Sequence, residues 1–273
     1  MKSRTVLRIE GVFRYMLARN LLQPLGAYLV TEFPKSGGSW IGLMISDALQ
    51  LPFPRHRMPR FGPSFLHGHY RFPAPVKNTL VVWRDPRDIM VSWYYHCTQG
   101  TVTNPGFMRE VRRDLKLDDY DDVRGNLPAF IEYSFTRQRS PRFSWNDFYD
   151  CWWGREDATA VRYEDFLADC VPTLQAAVRE LAGLELSTEK AAEIADRYSF
   201  RRMSGRTPGQ ENASSFLRKG VAGDWRTKFT PEAAQVLHAH TGDRLVEMGY
   251  ESDPLWHQHL LSAGPETAGA GAC

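Results

Sequence analysis

The sequence predicts an α/β protein: a single domain with a central parallel sheet flanked by helices and a P-loop-like, glycine-rich loop after its first strand. Three observations predict it. A short β-like run hands over directly to a helical pattern three times along the chain, the arrangement that builds parallel sheets. No internal repeat and no long Pro/Gly/Ser linker divides the sequence. The 273 residues are 42% hydrophobic, 12% aromatic and 24% charged, an ordinary globular profile, and a chain of this length buries a sizeable core without splitting.

The first unit is Ala27–Phe33 (AYLVTEF) as a strand, then PKSGGSW, then a helix whose apolar Ile41, Met44, Ile45 and Ala48 share one face. The second is Thr79–Trp83 (TLVVW), followed by Asp85 as N-cap, Pro86 at the first helical position and Asp88 in the first turn. The third is Ala158–Arg162 (ATAVR) running into YEDFLADC, with Pro172 opening a further helix that Gly183 can end. Residues 1–26 form an N-terminal helical segment, 27–260 the main domain and 261–273 a disordered tail. Residues 98–145 are punctuated by Gly, Pro and Asn and strongly charged, an excursion with some helix that covers the site. Its acidic cluster, Asp118, Asp119, Asp121 and Asp122, has no metal-loop spacing and is expected to be a solvated face.

Several function classes are excluded. The formal charge of +2, from 34 Lys and Arg against 32 Asp and Glu, argues against nucleic acid as a partner. Cys97, Cys151, Cys170 and Cys273 are scattered, so neither a disulfide framework nor a structural metal is indicated, and a reducing, cytoplasmic location is expected. The apolar stretch at 12–30 is broken by Arg14, Arg19, Asn20, Gln23 and Pro24, so neither a transmembrane segment nor a signal peptide is expected. Packing of this segment on the domain edge is expected, with peripheral membrane contact as the alternative.

Three loops have the chemistry of anion sites. Lys35, Ser36, Gly37, Gly38 and Ser39 lie between a strand and a helix, where backbone N–H groups and the helix dipole attract phosphate. Lys35 precedes the glycines, which departs from the ATP-binding pattern. Arg84 ends a buried strand, where an unpaired guanidinium is costly, and Ser92 follows on the next helix. Taken by itself this segment also fits an Arg84–Asp88 pair that fixes the turn, with Arg87 and Asp88 as surface charge. Arg218 and Lys219 beside Gly220 form the third loop, ahead of a helix capped by Thr230 and Pro231.

Three such sites suit a ligand with phosphates at both ends of a nucleoside. PKSGGSW, RDPRDIMVSWYYH, VRYEDF and FLRKGVAGDWRTKFT, in that order, resemble the sulfotransferases that use 3′-phosphoadenosine 5′-phosphosulfate (PAPS); SWNDFYDCWW resembles the family's Trp-rich helix. The resemblance covers roughly residues 27–250. It implies that Lys35, Ser36, Gly37, Gly38 and Ser39 hold the phosphosulfate, and that Arg84, Ser92, Arg218, Lys219 and Gly220 hold the 3′-phosphate. It further implies that Trp40 and Phe200 sandwich the adenine, Tyr163 bonds to it, and Phe216 and Leu217 line its pocket.

On the acceptor side, Leu66-His67-Gly68-His69-Tyr70 aligns with the family's Lys-Thr-His element, which puts His69 on the general base. Imidazole chemistry fits that task. His67 replaces the more usual Lys, so a permanent charge beside the sulfuryl group is lost or made pH-dependent. The resemblance implies in-line transfer, with Lys35 neutralising the leaving bisphosphate, Ser92 restraining Lys35, and no metal. Phe148 stands where relatives often have a second His. With Phe61, Phe65, Tyr70 and Trp145 it suits an apolar alcohol, whereas Arg55, His56, Arg57 and Arg60 suit an anionic glycan or lipid headgroup. The acceptor is therefore a small-molecule, lipid or glycan hydroxyl or amine. Arg226, Thr230-Pro231 and Gln235 depart from the family's dimer element, so oligomeric state stays open. The alternatives are a magnesium-ATP-dependent small-molecule kinase and a catalytically silent nucleotide-binding module.

Overall fold

A computed structural model describes residues 4–55, 62–72, 77–99 and 105–262. His56, Arg57, Arg60, Phe61 and Cys273 of the sequence expectations lie outside them. The elements in chain order are α1 (Arg4–Asn20), β1 (Tyr28–Glu32), α2 (Gly38–Ala48), β2 (Phe65–Gly68), β3 (Thr79–Trp83), α3 (Pro86–Thr98), α4 (Pro105–Leu115), α5 (Val123–Thr136) and α6 (Trp145–Trp152). They continue with β4 (Thr159–Arg162), α7 (Tyr163–Ala168), α8 (Cys170–Ala182), α9 (Thr188–Arg197), α10 (Phe200–Ser204), α11 (Trp225–Lys228), α12 (Pro231–Thr241), α13 (Arg244–Glu247) and α14 (Trp256–Ser262). The chain packs as two compact units: Met1–Arg84 with Asp147–Asn212 and Leu217–Ala222, and Asp85–Asn146 with Ala213–Phe216 and Gly223–Cys273.

The first unit is built on a sheet of order β2-β1-β3-β4, parallel throughout. β1 and β3 are almost wholly buried apolar runs, as strands covered on both faces must be. The three strands expected from the sequence form within a residue or two of their expected ends. β2 was not anticipated: FLHG is four residues long and carries a histidine, too short for a periodic signal. Its register sets Val30 opposite His67 and Thr31 opposite Gly68. β1 sends the chain towards β2 and β3 sends it towards β4, so the order reverses between them. In parallel sheets that reversal is where ligands bind, beyond the carboxyl ends of the strands.

α2 buries Ile41, Met44 and Ile45 against Val30, Leu80 and Val82, the face its periodicity predicts. α8 carries Pro172 in its first turn and ends on left-handed Gly183. α1 buries Leu17 and Ala18 and rests Tyr15 on Phe72, while Ile9, Val12 and Met16 face solvent. Among the described residues no helix is long and apolar enough to cross a membrane.

In the second unit the Asp85 carboxylate caps α3 by accepting from Arg87 N at 2.9 Å, with Pro86 at the first helical position. The expected excursion contains two full helices, α4 and α5. Asp122 of the acidic cluster caps α5 by accepting from Gly125 N, and Asp118, Asp119 and Asp121 stay exposed. α5 packs on α3 and α12, and Thr230 caps α12 through Ala233 N.

Candidate active site

The loop leaving β1 is held in a conformation few residues adopt. Lys35 has φ 74° and Gly37, the N-cap of α2, has φ 97°. A Cβ at Gly37 would lie 2.5 Å from the Tyr163 ring, so glycine is needed there for both its backbone angle and its lack of a side chain. A left-handed lysine is uncommon and persists where its surroundings hold it, a condition concentrated at functional sites. Ser36 is buried and its hydroxyl donates to Phe33 O at 2.9 Å, while Ser39 Oγ accepts from Arg55 at 3.0 Å. The loop leads into the N-terminus of α2, the end of a helix that favours an anion.

Beside it, three groups converge on Glu32, the last residue of β1. Its carboxylate accepts from His67 Nε2 at 3.0 Å and from Gly38 N at 2.5 Å, and its main-chain carbonyl accepts from His69 Nδ1 at 2.9 Å. A carbonyl only accepts, so the proton of neutral His69 sits on Nδ1 and Nε2 keeps its lone pair. Burial, the largest influence, holds His69 below its ordinary 6.5; Glu32 works against that, and His67 and Lys35 reinforce it. A neutral imidazole with a fixed tautomer is what a general base requires. Burial alone would raise the Glu32 carboxyl, but the His67 bond and charge, the His69 charge and the Gly38 amide hold it below 4.5.

Arg84 joins the β1 loop to the basic loop. Its guanidinium donates to Lys35 O at 3.1 Å and Val221 O at 3.3 Å and lies 4.3 Å over the Tyr163 ring. The basic loop is itself braced. Arg206 donates to Gln210 O at 2.6 Å, to Arg218 O at 2.8 Å and to Leu217 O, with its guanidinium 5.2 Å from the Phe200 ring. Arg218 is buried and pairs with Glu211; Lys219 is partly exposed. Gly220, at φ 67°, lies under Phe200, where a Cβ would come within 2.2 Å of the ring. Trp40 sits edge-on to Tyr163 and donates through Nε1 to Tyr198 O at 2.7 Å. Lys35, Trp40, Arg84 and Tyr163 thus form one connected group, and Phe200, Leu217, Arg218 and Gly220 another.

Tyr70 meets Phe72 at a tilt and Tyr15 edge-on, and its carbonyl accepts from Trp152 Nε1. Phe148, expected on the acceptor side, is fully buried between Trp83 and Trp152. In the second unit Ser92 is buried on α3, and Phe216 is half exposed. The structure departs from the reading of Arg87 and Asp88 as surface charge. Both Arg87 and Asp88 are 1% exposed. Asp88 accepts from Gly223 N at 2.7 Å and Trp225 N at 2.9 Å, which hold the loop ahead of α11. Arg87 forks onto Asp85, pairs with Glu251 and lies 3.8 Å over the Trp225 ring.

Glu32 and Arg206 are residues that sequence reasoning missed, and Asp88 is one that it placed on the surface. Glu32 had a signal, a carboxylate ending an otherwise apolar strand, whereas the partners of Arg206 and Asp88 come from folding.

Residues 68–249 match the sulfotransferase domain family, a span that starts just after His67 and leaves the β1 loop outside it. Sulfotransferase 1E1 of Cavia porcellus is 25% identical over 174 residues, covering 59% of this chain and 52% of that protein, so the chain spans about half the length of that relative. Sulfotransferase 1E1 of Rattus norvegicus is 24% identical over 75% of this chain and 78% of its own. In fold, mouse sulfotransferase SULT7A1 complexed with PAP is similar at a TM-score of 0.60 and 19% identity, over 90% of this chain and 95% of that one. Retinol dehydratase in complex with androsterone and PAP is similar at 0.50 and 17%, over 87% and 85%.

Proposed function

The chain belongs to the sulfotransferase domain family, and from that membership we propose that it moves a sulfuryl group from PAPS to a hydroxyl or amine, with His69 as general base. The single observation that carries the reading is the His69 Nδ1 bond to the Glu32 carbonyl, which leaves Nε2 as the basic nitrogen beside the anion-type loop. The donor supplies an electrophilic sulfur. Lys35, Ser36, Gly37, Gly38 and Ser39 take its phosphosulfate end, and Arg84, Ser92, Arg218, Lys219 and Gly220 its 3′-phosphate. The loop angles at Lys35 and Gly37 and the burial of Arg84 and Arg218 support that choice. The mouse sulfotransferase and retinol dehydratase structures hold PAP, which supports a donor of that kind.

In the proposed step the acceptor oxygen or nitrogen forms a bond to sulfur as the bond from sulfur to the bridging oxygen breaks. The acceptor proton goes to His69 Nε2, and Lys35 meets the charge that develops on the departing phosphate. The products are the sulfated acceptor and 3′,5′-bisphosphoadenosine. The acceptor class is a small molecule, lipid or glycan, and the aromatic side chains of Phe53, 6.1 Å from the His67 ring, and of Tyr70, next to His69 in the chain, favour one with an apolar body.

Calorimetric titration tests the reading. Magnesium-independent binding of 3′,5′-bisphosphoadenosine in preference to ATP is expected, and a preference for magnesium-ATP overturns it. His69→Ala is expected to lose turnover by about 100-fold or more while keeping bisphosphate affinity; unchanged turnover removes His69 from the base role.

A further inference from the structure

Glu32 is a carboxylate built into the mouth of an anion-binding loop. It is 4% exposed, and its Oε2 takes the Gly38 amide at the start of α2, one of the donors that make such a loop attractive to phosphate. Gly38 is shaped to receive it: a Cβ there would lie 2.8 Å from Glu32 Cδ. The other oxygen accepts from His67 Nε2, so the carboxylate ties the first turn of α2 to the edge strand β2, which carries His67 and ends just before His69. A negative charge here opposes any anion that enters the loop and also fixes His67.

We propose that Glu32 is a positioning residue of the donor loop, a resident counter-anion that orients His67 through its carboxylate and limits how tightly the loop holds a phosphorylated nucleotide. The inference rests on the reading of the loop as the donor site. Two consequences separate it from a structural role. With the charge removed, nucleotide should bind more tightly, because one like charge has left a buried anion site; with the His67 orientation lost, turnover should fall. A residue that only supports the fold would weaken both when replaced.

The test is titration of 3′,5′-bisphosphoadenosine into the wild-type chain, Glu32→Gln, which keeps the side-chain shape, and Glu32→Thr, which suits a strand. Thermal melting of each variant accompanies it. Both variants are expected to bind the bisphosphate on the order of tenfold more tightly, the scale of one removed like charge. In steady state, kcat and the KM for donor should fall together. Affinity that is unchanged or weaker in a folded variant overturns the proposal. If one variant does not fold the other is read, and failure of both to fold makes Glu32 structural and also overturns it. Absence of bisphosphate binding in the wild-type chain instead sinks the donor-site reading, and this inference with it.

Discussion

Replacing Arg87 with methionine removes a guanidinium that is 1% exposed while keeping most of its aliphatic volume. Asp85 is left buried, having lost the forked bonds from Nε at 2.9 Å and from a terminal nitrogen at 2.8 Å, though it keeps the Arg87 amide. Stranding one partner of a buried pair costs about 3–5 kcal/mol. The guanidinium also lies 3.8 Å over Trp225 and 5.0 Å from Trp256, contacts that together add about 1–2 kcal/mol. The methionine side chain, packing against those same rings, returns about 1 kcal/mol. The expected loss is therefore about 4 kcal/mol, a large share of the 5–15 or so that holds a typical domain together. With a urea slope of about 2.5 kcal/mol/M the midpoint falls by about 1.5 M, read by circular dichroism. Arg179→Met, which breaks an exposed pair with Glu185, should leave the midpoint in place. A loss under about 1 kcal/mol for Arg87→Met would refute the argument, because it would mean that this pair behaves like a surface one.

The pH–rate profile should have an acidic limb below 6.5, because His69 acts as neutral imidazole and its burial holds it under that value; a limb above 6.5 would count against His69. Stability should decline on the same side. Glu32 and His69 both bind protons less readily folded than unfolded, so the unfolded chain gains protons as pH falls through 6.5 and then 4.5. The contribution of each is fully present above its ordinary value and lost as pH drops through its lower folded one. His69→Gln should therefore lose less stability than wild type between about pH 7 and about pH 5, measured by urea titration at each pH. Gly220→Ala, at φ 67° and 2.2 Å from the Phe200 ring, should displace that ring and weaken bisphosphate binding by about tenfold or more. Unchanged affinity would remove Phe200 from the nucleotide pocket.

How much of this was legible follows from where each signal resides. β1 and β3 were visible because buried parallel strands are largely apolar runs, β4 because a short β-like run hands over directly to a helical pattern, and the caps at Asp85 and Thr230 because capping is chemistry within four residues. β2 was hidden because four residues with a polar one among them carry no period. The excursion hid α5 behind Pro128, which lies inside that helix. The burial of Arg87 was illegible for a different reason. A guanidinium enters a core only with partners, and Glu251 lies 164 residues away. Nothing local distinguishes that arginine from a solvated one. Glu32 falls between these cases: a charge at the end of an apolar strand was visible, but its meaning depends on His67, 35 residues on, and on the turn that brings Gly38 N back to it.

Arg84 shows why separate segments of sequence could be read as one site without their junction being visible. Its terminal nitrogens reach Lys35 O, 49 residues back, and Val221 O, 137 residues ahead, and its flat face lies on Tyr163. Lysine in its place would keep the charge but not the planar fork that spans two carbonyls. The three segments therefore share one geometric constraint: movement of the basic loop is felt at Lys35 through a single side chain. If the two ends of one ligand are held by these two loops, their separation is set in advance by the reach of that guanidinium, and the entropy of bringing them together is lost in folding, before any ligand arrives.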